Sequence, residues 1–320
     1  MSFSEMLFTT VISFSYTFML MPLFINYFIS KKYGQEIREE GPKWHNSKAG
    51  TPTMGGFMFV TASFISTLIV GFAFNQITVT NMLILLAMIT YGVIGFVDDF
   101  LKIFKKQNEG LTSKQKALGQ LVVAIIFFVI YIWQGLPMTI NLGFMNLHIG
   151  YFYGLFILFW LIGFSNAVNL TDGLDGLVTG LSLIAFGTYG IIAYKQQQYD
   201  ILLVCLSIMG GLLGFLPYNL KPAKIFMGDV GSLALGGMLA SISILLHQEW
   251  TLLLIGLVFV LETLSVMIQV TYFRKTGKRI FKMSPLHHHF EMSGWSEWKI
   301  DIVFWTVGLL MSVITLLILY

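Results

Sequence analysis

Eight side chains hold most of the reactive chemistry in this sequence. Asp98 and Asp99 are adjacent in FVDDF. Asp172 and Asp175 lie three apart in NLTDGLDGL and are expected to open the sixth span on one face of a helical turn. Asp229 stands in FMGDVGSL, and His287, His288 and His289 run together in SPLHHHFE. Glycines stand beside Asp172, Asp175 and Asp229, so backbone can approach a ligand closely there. Where such stretches open helices, free N–H groups and the positive end of the helix dipole point outward, which suits phosphate. Carboxylates beside a phosphate repel it unless a cation intervenes. A hard ion that takes oxygen ligands, keeps several waters and bridges carboxylate to phosphate is Mg²⁺. Zinc would want a consistent tetrahedral set, which three consecutive histidines do not easily present. They are read instead as donors to phosphate or sugar oxygens. Nor are they a purification tag, since the triplet lies well inside the chain, between Pro285 and Phe290-Glu291.

Each piece also has a plainer reading. An Asp at a helix N-terminus is most often a cap on free N–H groups, and an Asp pair can simply end a helix in water. Most of the lysines mark topology. These readings leave unexplained why so many acids gather on one side of the chain's predicted elements.

Those elements are membrane spans. Hydrophobic residues make up 56% of the chain and charged residues 11%, against about 25% charged in an ordinary soluble domain. A spanning helix needs about 20 mostly apolar residues. Ten stretches qualify: roughly 4–29, 53–73, 78–98, 117–134, 151–166, 176–194, 200–216, 231–247, 250–273 and 300–319. Backbone in lipid must satisfy its own hydrogen bonds, so each stretch is helical. The expected fold is an all-α polytopic membrane protein, a single domain over residues 1–320 with ten transmembrane helices.

Alternation of sides places 18 of the 19 Lys and Arg in the odd-numbered loops, with only Lys195 opposite. Basic residues mark cytoplasmic loops. Both termini are therefore expected to be extracytoplasmic, with the acids and histidines at the cytoplasmic face. The first segment has Lys31-Lys32 after it and no basic residue before it, the reverse of a signal peptide, so it is expected to be retained. Cys205 is the sole cysteine, which excludes an intrachain disulfide. MTINLGFMNLHI, residues 138 to 149, alternates polar and apolar around a glycine and predicts a small outer hairpin. Glu262 falls near the middle of the ninth span, where an unpaired charge costs a few kcal/mol. It is read either as a buried hydrogen bond to a neighbouring helix or, if that helix bends, as a partner orienting the catalytic cluster.

NAVNLTDGLDGL, KIFMGDVGSLALGG, SPLHHHFE, EEGPKWHNSKAGTPTMGG and the FVDDF pair together resemble the bacterial phospho-N-acetylmuramoyl-pentapeptide-transferase family. That family is a branch of the polyprenyl-phosphate N-acetylhexosamine-1-phosphate transferases. The resemblance runs nearly the whole chain in the family's order. It implies Mg²⁺-dependent transfer of phospho-MurNAc-pentapeptide from UDP-MurNAc-pentapeptide to undecaprenyl phosphate, giving UMP and lipid I for peptidoglycan. Carried over residue by residue, Asp229 would be the metal ligand. Asp98, beside Asp99, would be a base or orienting group for the lipid phosphate. Asn169, Asp172, Asp175, Asn219 and Phe226 would line the nucleotide-sugar pocket. Lys48, Lys116, His287 and His288 would contact diphosphate or sugar, with His289 beside them. The resemblance also suggests a homodimer, and nucleic acid is not an expected partner.

A phosphate monoester has a second pKa of about 6, so the attacking lipid phosphate is already largely dianionic and leaves little for a base to remove. Single displacement is expected, with Asp98 positioning the lipid phosphate or metal. A two-step route through an aspartyl-phosphate is the competing mechanism. An ion-coupled transporter would place its acids near the bilayer midplane on repeated, broken helices, whereas these crowd one mouth. A sister transferase using UDP-GlcNAc is the nearer rival, disfavoured by the histidine loop.

Overall fold

The computed structural model describes residues 1–31, 50–105 and 110–320. Ten of its helices are long and apolar enough to cross a membrane, as the ten apolar stretches require. In chain order they are α1 (Phe3–Ser30), α2 (Gly56–Ala73), α3 (Val79–Lys105), α4 (Ser113–Trp133) and α5 (Tyr153–Thr171). After these come α6 (Leu177–Lys195), α7 (Tyr199–Asn219), α8 (Gly228–Leu245), α10 (Leu257–Thr276) and α12 (Glu297–Leu319), with short α9 (Thr251–Ile255) and α11 (Leu286–Glu291) between them. The predicted hairpin is present as β1 (Thr139–Asn141) and β2 (Asn146–His148), antiparallel with Ile140 opposite Leu147.

Helix α8 is the axis of the bundle. Every residue from Val230 to Leu245 is buried. Lipid supplies no hydrophobic drive between helices, so close packing needs small residues at the contacts. Helix α8 is built from them, in GDVGSLALGGMLAS. A Cβ on Gly236 would land on the backbone of Phe164 and Ser165 in α5, and one on Gly95 of α3 would overlap the Asp229 carbonyl. Helices α3 and α5 therefore meet α8 backbone to backbone. The outermost faces of α1 and α12 remain exposed, as befits lipid-facing helices: Phe3, Met19 and Leu317 are largely uncovered.

Three boundaries depart from the sequence reading. The third helix continues past the Asp pair to Lys105, so Asp98 and Asp99 sit within a helix rather than at its end. Asp172 does not open the sixth helix. It caps the C-terminus of α5, residues 172–176 form turns, and α6 begins only after Gly176, whose φ is +84°. Asp172 and Asp175 thus share a tight Gly-containing turn and not one face of a helix. The ninth segment is broken at Gly256 into α9 and α10.

Candidate active site

The close approach of α3 to α8 delivers Asp98 and Asp99 to Asp229, and oxygens of all three lie within 4.8 Å of one another. Two ammonium groups sit among them. Lys102 is one turn along α3, the i+4 spacing at which a basic side chain reaches back to an acid. Its Nζ lies 2.6 Å from Asp98 Oδ2, 3.4 Å from Asp229 Oδ2 and 3.8 Å from Asp99 Oδ1. Lys116 enters from α4, 2.7 Å from Asp229 Oδ2 and 3.0 Å from Asp98 Oδ2. A capping box between Thr112 and Gln115 sets the first turn of α4 and so aims Lys116. The remaining oxygens are also engaged. Asp98 Oδ1 accepts the Leu111 N–H at 2.7 Å, Asp99 Oδ2 accepts the Val230 N–H at 3.2 Å, and Asp229 Oδ1 accepts from Asn169 Nδ2 at 2.9 Å. Asn169 Nδ2 also donates to Ser232 Oγ at 2.9 Å, tying the end of α5 to α8.

The TDGLDG turn lies beside this cluster. Burial pushes the Asp172 carboxyl up to about 8, reinforced by the negative charges of Asp229 and Asp175 and opposed by a hydrogen bond from the Gly228 N–H. Asp175 Oδ2 accepts the Ala223 N–H at 3.0 Å and so anchors the α7–α8 loop. That loop is also held to the GTPTMGG stretch. The Phe226 N–H donates to the Pro52 carbonyl at 2.8 Å, and the N–H groups of Gly55 and Gly56 donate to the carbonyls of Phe226 and Met227 at 2.9 and 2.8 Å. Phe226 is partly exposed beside the start of α8. Asn219 is buried and turned inward, accepting from the Thr179 hydroxyl at 2.7 Å and donating to the Ile225 carbonyl at 3.1 Å. Lys48 lies outside the described residues.

The three histidines diverge. His287 is buried, with its backbone N–H and its Nδ1 each 3.1 Å from an oxygen of Glu262. His288 Nδ1 faces Glu291 Oε2 at 2.7 Å, and His289 Nδ1 accepts the Lys282 N–H at 3.1 Å. Of the three, His287 reaches the TDGLDG turn, where its Nε2 lies against Gly173. By sequence alone Lys102 is one of the basic residues that mark topology. Its i+4 spacing from Asp98 becomes a signal once α3 is known to continue past the pair.

The profile of glycosyl transferase family 4 matches residues 81–247, just over half the chain and the part that carries all five acids. Three relatives, each named phospho-N-acetylmuramoyl-pentapeptide-transferase, match almost end to end. The protein from Enterococcus hirae is 63% identical over 99% of both chains, that from Enterococcus faecalis 60% over 100% of both, and one from Listeria monocytogenes 53% over 98% of both. This chain belongs to the phospho-N-acetylmuramoyl-pentapeptide-transferase family. Like others of this family it is a multi-pass bacterial membrane protein, its ten apolar helices agreeing with that assignment. The acidic cluster of this transferase fits a divalent cation. It offers carboxylate oxygens alone, the donor set a hard ion prefers, at a mutual spacing one ion can span. Lys102 and Lys116 already balance negative charge in that space.

Proposed function

We propose that this chain transfers phospho-MurNAc-pentapeptide from UDP-MurNAc-pentapeptide to undecaprenyl phosphate, releasing UMP and forming lipid I at the cytoplasmic face. The observation that carries this reading is the meeting of Asp98, Asp99 and Asp229 with Lys102 and Lys116. It occurs in a chain that matches transferases of that name over nearly its full length. The cation is Mg²⁺, held by Asp229 with Asp98 and Asp99 in reach; once bound, it would neutralise diphosphate charge and so favour departure of UMP.

The chain's own residues then have defined tasks. The reaction brings a phosphate dianion to a diphosphate, so repulsion between anions is the main obstacle, and positioned cations lower it. Lys116 and Lys102 are the ammonium groups placed to do this. Asn169 fixes the orientation of Asp229 through its amide. Asp98 is fully buried, with one oxygen on a backbone N–H and the other between two ammonium groups. Neither oxygen is presented as a nucleophile, which favours single displacement with Asp98 as a positioning group. Asp172 and Asp175, on their turn, and Phe226, beside the start of α8, border the space for the nucleotide sugar.

Purified protein supplied with both substrates should release UMP only when the lipid is present. Chelator should abolish release, and Asp229→Asn should reduce it by about 10²-fold or more. Release from UDP-GlcNAc and not from the muramoyl pentapeptide would overturn the substrate assignment. Isolation of a phosphosugar bound covalently to an aspartate would overturn single displacement.

A further inference from the structure

We infer that Glu262 is a positioning residue for the nucleotide-sugar end of the reaction, acting through His287 on the TDGLDG turn; the inference rests on the transferase reading above. A carboxylate within a spanning helix is expensive unless its oxygens are satisfied. Glu262 is fully buried in α10. Its oxygens are used on one residue: Oε1 accepts the His287 backbone N–H, and Oε2 faces His287 Nδ1, both at 3.1 Å. Glu262 thus meets both the backbone N–H and the ring Nδ1 of His287, so the ring is held at both ends of its Cα–imidazole lever.

The far edge of that ring meets the site. His287 Nε2 is buried and lies so close to Gly173 that a Cβ there would overlap it. Gly173 stands between Asp172, the cap of α5, and Leu174-Asp175. Asp172 in turn receives the Gly228 N–H, one residue before Asp229. The imidazole is thus a wedge behind the turn that carries two of the acids. Its own position is set by α10, and the grip has a second point. Gln269 lies seven residues after Glu262, two turns along the same helical face. Its Oε1 accepts the N–H groups of Ile280 and Phe281, and its Nε2 donates to the Phe281 carbonyl, each at 3.0 Å. Two polar side chains of α10 therefore hold both ends of the 280–287 segment. Packing alone would be served by leucine at 262; the carboxylate serves the histidine.

The test measures hydrogen exchange of residues 171–176 in the full-length protein, together with the KM for each substrate, in wild type, Glu262→Gln, His287→Asn and the double variant. Either single substitution should speed exchange in this turn by about tenfold, with the rest of the protein unchanged. Either should raise the KM for the nucleotide sugar by about tenfold and leave that for the polyprenyl phosphate alone. The double variant should be no worse than the more severe single one, since both act along one route. Unchanged exchange at 171–176 in either folded variant would overturn the inference. So would additive effects, or an equal rise in both KM values. If Glu262→Gln does not fold, His287→Asn, which keeps the backbone N–H on Glu262, decides the exchange result. Wild-type protein that releases no UMP would refute the transferase reading, and the exchange measurement would still decide whether Glu262 and His287 position the turn.

Discussion

Asp172 shows how one side chain is governed by its neighbours. An aspartate on an isolated turn would titrate near 3.8, but burial and the charges of Asp229 and Asp175 push this one up to about 8. Raising a folded-state pKa means the folded protein binds the proton more tightly than the unfolded chain does. The stabilisation is therefore complete below about pH 4 and is lost as pH rises through about 8. Thermal unfolding measured in chelator should show a midpoint that falls across this window. In Asp172→Asn the fall should be shallower, and an unchanged slope would remove Asp172 as its source. Glu262 and His287 make a related point about legibility. The sequence marked each as unusual, one for its depth in lipid and the other for its triplet. Only the fold joined them, across 25 residues of chain, and only the fold separated His287 from its two neighbours.

At the scale of elements, the site depends on how closely α3 lies against α8. Gly95 makes that possible, because any side chain there meets the carbonyl of Asp229. Gly95→Leu should force the helices apart at a cost of about 1–3 kcal/mol, seen as a lower unfolding midpoint. Because Asp98, Asp99 and Lys102 ride on α3, UMP release should fall by more than the loss of folded protein accounts for. Activity in proportion to folded protein would mean the contact is only structural. The helices themselves were legible from apolar length. Their ends were not, since hydropathy reports residence in lipid and a helix can continue into water. That is why α3 runs on to Lys105, and why hydropathy alone does not separate the turn at 172–176 from the start of α6.

For the whole molecule, the basic residues expect one orientation: both termini and the hairpin outside, the acidic cluster inside. Cys205 is fully buried, so introduced cysteines can be read against a quiet background. Phe144, exposed at the hairpin, and Lys278, exposed after α10, lie on opposite sides in this scheme. Phe144→Cys should react with an impermeant maleimide in intact cells, and Lys278→Cys only after permeabilisation. The reverse pattern would invert the orientation and move the proposed chemistry to the other face.

The amino-acid sequence by itself determined the class, the ten spans and the family, and it singled out the acids proposed for the site, because lipid imposes length and apolarity locally and the family's motifs are contiguous. Tertiary structure alone decided which acids come close enough for one cation to span, that Lys102 lies among them, and that Asn219, His288 and His289 turn to partners in the protein. Those outcomes depend on contacts between helices far apart in the chain. Such contacts are set by where small residues let backbones meet, and neither hydropathy nor motif spacing encodes that.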